Sequence, residues 1–421
     1  MTVLIAGAGI AGLSMALTCH QIGVPVRVFE SSAQLKPLGV GINLQPNAVR
    51  ELFELGFESA MTDIGIPTQD YGFYTRFGLE IWTEPRGRWA GYQWPQYSVH
   101  RGKLQMMLAA AVQERLGPNA IETGWRVDGY RQQDAGVVVS MSDKTGRQRE
   151  EAGTLLIAAD GVHSAIRAQM VPEEGPAIWS GAVLWRGTSM AKPFLSGASM
   201  VLAGHATQRI VTYPLSRPDP ETGLVLTNWI AEKTYDPSIG WQREDWNRKA
   251  NLDDFLPDFE SWRFDWLDVP ALIRSATDVY EYPMVDRNPL DNWTDGAVTM
   301  IGDAAHVTYP VGSSGASQAI VDARMLGGAL LEHGLTSAAL RAYDDAVRPV
   351  VNKVVLANRG SGPDAIMQRV EDLCGGQFTN IDEVIPRAEL AAHAAHYKQL
   401  AGFSIEALNA RAPIIAAGRQ L

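Results

Sequence analysis

The chain has 421 residues, 46% hydrophobic and 20% charged, an ordinary globular composition with room for two domains or one elaborated one. A formal charge of −11 and a pI near 5.3 exclude the basic face that nucleic acid requires and a polybasic membrane anchor. The two cysteines, Cys19 and Cys374, have neither metal-site spacing nor the look of a disulfide framework, and no apolar run is long enough to span a bilayer, so a cytoplasmic protein is expected.

Residues 3–6 (Val-Leu-Ile-Ala) read as a short buried strand, 11–22 as a helix and 25–30 as a second strand, which makes a βαβ unit. Between the first strand and the helix lies Gly7-Ala8-Gly9-Ile10-Ala11-Gly12. Gly7 permits the tight turn, Gly9 lets backbone approach a pyrophosphate, and Gly12 lets the helix pack close to the sheet. Glu30 ends the second strand, where a carboxylate can accept from ribose hydroxyls and would repel the 2′-phosphate of NADP. The same glycines, with no basic residue before them, argue against reading residues 3–17 as a secretion signal. Residues 38–42, which include Gly41, read as a glycine-punctuated loop, and 47–55 as a helix bounded by Pro46 and Gly56.

From 71 to 94 aromatic residues alternate with glycine and proline, which suggests antiparallel strands and loops. Arg101 opens a helix over 101–116; its guanidinium suits phosphate or carbonyl oxygens, and a surface salt bridge suits it equally. Residues 136–141 and 154–159 read as strands, the second delivering Asp160-Gly161-Val162-His163-Ser164-Ala165-Ile166-Arg167. The stretch 178–282 is rich in sheet patterns (182–185, 209–213, 224–229), with short helices at 253–255 and 271–275. It holds Trp179, Trp185, Trp229, Trp241, Trp246, Trp262 and Trp266, which serve either core packing or an aromatic pocket. Arg186, His205, Tyr213 and, further on, Tyr309 are the polar candidates for such a pocket.

Residues 298–301 form another buried strand, ending at Gly302-Asp303-Ala304-Ala305-His306. Asp303 can accept from ribitol hydroxyls, whereas His306 reads as structural. Pro310-Val311-Gly312-Ser313-Ser314-Gly315-Ala316-Ser317 then leads into a helix over 317–331. Its glycines let backbone N–H groups meet a flat ring, and the helix dipole favours negative charge there, as in an oxyanion hole. Helices over 336–358, kinked at Pro349, and over 386–400 follow. The three separated motifs together point to FAD, held as a working redox group beside an oxidisable substrate, and hence to a flavin-dependent monooxygenase. The residues leave open a flavin oxidase or dehydrogenase, a halogenase (whose Trp-x-Trp-x-Ile signature is missing) and a non-catalytic nucleotide-binding protein.

The three motifs, in this order and over nearly the whole chain, resemble the class A flavoprotein monooxygenases of the para-hydroxybenzoate and salicylate hydroxylase type. The run from Tyr309 to Ala319 is closest to the phenazine-carboxylate monooxygenase branch, as is the tail at 381–385 and 397–403. The resemblance implies an α/β fold: a Rossmann-like FAD-binding domain of the glutathione-reductase type, an inserted, mostly antiparallel β-sheet substrate domain, and C-terminal helices. The FAD-binding domain would span 1–70, 99–177 and 286–421, and the substrate-binding domain 71–98 and 178–285. Gly7, Gly9, Ala11, Gly12 and Glu30 would hold the ADP half, with Arg101 and Asp303 on the ribitol and pyrophosphate. Asp160-Gly161 would serve both FAD and the passing NADH or NADPH. Gly41, Gly302, Pro310, Gly312, Ser314, Gly315 and Ala316 would complete the flavin site, and Pro310, Tyr309, Tyr213 and Arg186 would meet the substrate. No metal is implied. NAD(P)H would reduce the flavin, O2 would add at C4a, and the C4a-hydroperoxyflavin would hydroxylate a small aromatic or heteroaromatic ring, in a monomer or homodimer. Two residues depart from the family pattern: Ser317, where many relatives have Asn, and Ser31, where a basic residue is common.

Overall fold

The computed structural model describes residues 2–236, 238, 248–360, 362, 364–400 and 404–421, without the side chains of 396–400. Trp241, Trp246 and residues 401–403 of the tail lie outside the described residues, as do the side chains of Tyr397, Lys398, Gln399 and Leu400.

Val3–Ala6 is buried along its whole length and pairs in parallel with Val26–Glu30 on one side and Leu155–Ala158 on the other. A parallel strand is covered on both faces, which is why VLIA and LLIA carry no polar alternation. Val298–Met300 continues the sheet in parallel beyond Leu155–Ala158, and Ile121–Thr123 beyond Val26–Glu30; Thr294–Asp295 closes one edge antiparallel. The helix Ile10–Gln21 packs against Arg101–Leu116 and Gly315–His333. This order makes Val3–Ala6, Leu155–Ala158 and Val298–Met300 neighbours. The three motifs that follow them therefore emerge side by side at the carboxyl ends of adjacent strands, the usual ligand position in an open α/β sheet.

One local expectation is corrected. Residues 38–42 are not loop throughout, because Gly41–Leu44 is a strand paired antiparallel with Tyr97–His100. Glycine weakens local strand preference, and a partner more than 50 residues away overrides it. The strand at 136–141 is the centre of a three-stranded antiparallel sheet, flanked by Arg126–Gln133 and Gln148–Gly153. Their sequences, RVDGYRQQ and QREEAG, are too polar to announce strands. Pro349 lies within the continuous helix Ser337–Ala357.

A seven-stranded sheet takes strands from two remote stretches, in the order Val279–Asp286, Ile178–Ala191, Val225–Thr234, Gln208–Pro214, Ser199–His205, Asp70–Tyr74 and Glu80–Pro85. All pairs are antiparallel except Ser199–His205 with Asp70–Tyr74, where the two stretches join. Strand alternation divides its side chains between two faces. On one face Val183, Trp185, Ile210 and Trp229 pack with Phe255, Phe259 and Trp262, and Trp185 stacks on Phe255 with ring centroids 4.6 Å apart. Trp179 and Trp266 pack against the same cluster. The described tryptophans of this stretch are therefore core residues, and the pocket role offered for them is withdrawn. The opposite face carries Tyr71, Phe73, Met200, Leu202 and Tyr213, covered by Ile366, Met367, Val370 and Leu390.

Candidate active site

At the first motif Gly7 has φ +98°, and a Cβ there would run into the Ala159 carbonyl oxygen at the end of the neighbouring strand. Glu30 fixes this loop, accepting from the Ala8 N–H at 2.9 Å and the Ser32 N–H at 2.7 Å. Ser31 donates to the same carboxylate at 3.2 Å. Gln105, which the sequence reading passed over, donates to the Ala8 carbonyl at 2.8 Å from the helix Arg101–Leu116. An uncharged residue inside a helix carries no signal of such a tie.

At the second motif Asp160 turns back on its own loop and accepts from the Ala165 N–H at 2.9 Å; its Oδ1 is buried without a partner. Burial lifts the Asp160 carboxyl above its usual range. Arg167, 2% exposed, reaches across to the third motif and donates to the carbonyls of Ala304 at 3.0 Å and Ala305 at 2.7 Å. Glu174 holds the other side of that guanidinium.

At the third motif Gly302 has φ +60°, with space for no more than hydrogen because a Cβ would come within 2.9 Å of Ala11. Asp322, fully buried, accepts from the Gly302 N–H at 2.8 Å, from His306 Nε2 at 2.6 Å and from Gln318 at 2.8 Å. Burial works against the His306 imidazolium, but the charge and hydrogen bond of Asp322 outweigh it and hold His306 above its ordinary value of 6.5. Its place in this closed pair is structural. Asp322 sits mid-helix, where an acidic residue ordinarily reads as solvated, so sequence reasoning missed it. Asp303, by contrast, is exposed at the first position of the short helix Asp303–His306.

The turn Val311–Ser313 places Gly312 at φ +76° and Ser313 at φ +53°, an uncommon conformation for a residue with a side chain. Gln45 braces this turn, donating through its side chain to the Gly312 carbonyl at 3.3 Å and through its backbone to Ser317 Oγ at 2.9 Å. Ser317 thus has a structural partner of its own. Across from the turn, Gly41 lies so close to the seven-stranded sheet that a Cβ would come within 2.6 Å of Tyr213 and 2.8 Å of Asn228. Its N–H donates to Asn228 at 2.7 Å and its carbonyl accepts from Arg186 at 3.2 Å.

Arg186 Nε is buried and unpartnered, and the guanidinium lies 6.0 Å from the Tyr282 ring centroid. Burial pulls its pKa down, and Tyr213 and Tyr282 oppose that. Burial pushes Tyr213 up to about 12, so its hydroxyl stays a donor at neutral pH. Tyr309 is spent otherwise: it packs with Leu184 and Met284, and its hydroxyl faces the Ile178 carbonyl at 3.5 Å and Asp286. Arg101 lies against Gly39, exposed. His205 bonds Thr207 at 3.1 Å at the end of its strand and does not line either cavity described below.

Where a Cβ would project from Gly9, Gly161 and Gly315 there is no atom within 4 Å. Two of these bare positions front the helices Ile10–Gln21 and Gly315–His333, and neither helix has a side-chain cap. Uncapped N–H groups with positive dipole ends suit a pyrophosphate at one helix and the electron-rich edge of a flavin at the other. The residues present therefore fit FAD. A cavity opens from Gly312 and Ser313, walled by Tyr71, Phe73, Trp82, Met200, Ile366 and Leu390. A second lies between Gln45, His306, Gly315 and Val354.

Fold and site together define a flavoprotein whose cofactor loop opens onto an aromatic-walled pocket. Residues 1–358 match the family described as FAD binding domain, and the chain belongs to it, among the single-component class A flavin-dependent monooxygenases that use FAD, NAD(P)H and O2. The chain is 42% identical to the phenazine 1,6-dicarboxylic acid hydroxylase PhzS of Lysobacter antibioticus over 362 residues, 85% of this chain and 89% of that one. It is 31% identical to the aurachin C monooxygenase/isomerase of Stigmatella aurantiaca, over 83% and 85% of the two chains. A salicylate hydroxylase substrate complex shares the fold with a TM-score of 0.72 at 20% identity over 97% of each chain. Klebsiella pneumoniae HpxO with FAD and uric acid does so with 0.71 at 22% identity, over 97% and 96%. No helix among the described residues is long and apolar enough to cross a membrane.

Proposed function

We propose that this monooxygenase inserts one oxygen atom from O2 into a small planar aromatic or heteroaromatic molecule bound between the Gly312–Ser313 turn and the sheet face carrying Tyr71 and Phe73. One observation supports this most: the aromatic-walled cavity begins at the turn that leads into the uncapped helix Gly315–His333. Bound FAD supplies the reductive activation of O2, with NAD(P)H as electron source. Gly7, Gly9, Ala11, Gly12 and Glu30 hold its ADP half, and Arg101, Asp160, Gly161, Gly302 and Asp303 its centre. Gly41, Pro310, Gly312, Ser314, Gly315 and Ala316 bed the ring. Residues 1–70, 99–177 and 286–421 form the FAD-binding domain, and 71–98 with 178–285 the substrate-binding domain, which keeps water from the reacting atoms. Arg186, a half-buried cation with no carboxylate partner among the described residues, stabilises negative charge at the ring or on the substrate, and Tyr213 donates beside it. The free, largely buried thiols fit a cytoplasmic enzyme.

Asp303→Ala is expected to fold normally and to lose most of its FAD, read as the ratio of flavin to protein absorbance after desalting. Full retention of FAD and turnover would remove Asp303 from the site. The reaction is tested with a panel of aromatic acids, phenols and N-heterocycles, phenazine 1,6-dicarboxylate among them. The expected result is ring-stimulated NAD(P)H consumption with product mass raised by one oxygen. Hydrogen peroxide in place of oxygenated product across the whole panel would instead mark a flavin oxidase.

A further inference from the structure

The cavity at the Gly312–Ser313 turn has an apolar body and a polar wall made by Glu84, Arg86 and Gln96. Arg86 Nη2 binds Glu84 Oε1 at 2.7 Å, with the two side chains 12% and 9% exposed, and the guanidinium lies 4.8 Å from the Tyr71 ring centroid. The charge of Arg86 is thus already neutralised, yet its Nε is buried with no partner. Gln96 is 1% exposed. Its Nε2 donates to Asn43 Oδ1 at 3.3 Å, an oxygen that also accepts from Ser98 at 3.1 Å. In this arrangement Gln96 Oε1 is left buried with no partner. One wall therefore holds an unpaired donor and an unpaired acceptor, with no net charge from its ion pair. Buried polar atoms without partners carry the full cost of desolvation, and a ligand that supplies both partners relieves it.

We propose that this wall recognises a neutral, amide-like edge of the substrate: a carboxamide, a lactam or a carboxylic acid held protonated. Arg86 Nε donates to the carbonyl oxygen of that edge, and its N–H or O–H donates to Gln96 Oε1. An ionised carboxylate has no hydrogen for Gln96 and finds no net positive charge in the Arg86–Glu84 pair to offset its desolvation. Sites built to pair a substrate donor discriminate strongly against analogues that lack it. The inference rests on the reading of this cavity as the substrate site.

The test compares phenazine-1-carboxamide with phenazine-1-carboxylate, nearly equal in shape, by titrating the FAD-loaded enzyme and following the flavin absorbance. The carboxamide is expected to bind about tenfold more tightly or better, as one satisfied buried pair implies. Gln96→Leu brings that ratio close to one. Glu84→Gln raises carboxylate affinity about tenfold and leaves the carboxamide nearly unchanged. It decides the matter should Gln96→Leu disturb the Asn43 network and fail to fold. Carboxylate binding as tight as carboxamide in the unmodified enzyme, or a ratio that Glu84→Gln does not move, overturns the inference. So does binding of neither probe by an enzyme that oxygenates another ring. Absence of ring-stimulated NAD(P)H oxidation by the unmodified enzyme with every ring tested overturns the substrate-site reading itself.

Discussion

Gly12→Ala is expected to yield a protein that no longer retains FAD and melts well below the parent. The added Cβ would point into the Gly7 carbonyl oxygen, which is backbone and cannot turn aside. The helix Ile10–Gln21 would have to move off a strand that is buried throughout. Overpacking of this kind costs roughly 3 kcal/mol, at the upper end of its usual range. Gly9→Ala is the informative partner, because its Cβ meets nothing within 4 Å. That variant is expected to keep the melting temperature of the apoprotein and still lose FAD affinity, since the open space in front of Gly9 is proposed to take the pyrophosphate. Calorimetry of the apoproteins alongside flavin retention separates the two effects. Equal melting temperatures for all three proteins would show that the close helix–strand contact at Gly12 is not there.

Asp322→Ala is expected to do comparable damage from a residue with no exposed surface. It leaves the Gly302 N–H, the His306 ring and the Gln318 amide without their common acceptor. Removing one member of a buried ionic pair costs about 3–5 kcal/mol. Gly302 would then be free to leave φ +60°, and Asp303, the next residue, would shift with it. Asp322→Asn keeps an acceptor oxygen and loses less. The pair also sets a pH dependence. The folded pKa of His306 is raised, so its ionic contribution is complete below 6.5 and fades as pH rises through the higher folded value. The gap in melting temperature between the parent and Asp322→Asn accordingly narrows as pH rises. A gap that widens with pH would mean that His306 is neutral in the folded protein.

The nucleotide-binding half was readable because its signals are local. A buried parallel strand is an unbroken apolar run, and a glycine at a forced turn has no substitute, so Gly7, Gly12 and Gly302 stand out in the bare chain. The supports of those motifs were not readable. Gln105, Arg167 and Asp322 act through backbone groups remote in sequence, and a polar residue in a helix reads the same whether it faces water or a carbonyl. The tryptophans carry the same ambiguity, since bulk and aromaticity suit a core and a pocket equally, and only the face of the sheet separates Trp185 from Tyr71.

The amino-acid sequence by itself determined the class of cofactor, the order of the motifs and the family, because these depend on short-range geometry that few residues can adopt. Tertiary structure alone decided which side chains share a cavity. Strands 70–85 and 178–286 meet in one sheet only through long-range pairing, and that pairing brings Arg86 and Gln96 to the far wall of the pocket and Arg186 to Gly41. The physical reason is that hydrogen-bond partners and burial are properties of neighbours in space, and a neighbour 145 residues away leaves no mark on the local sequence.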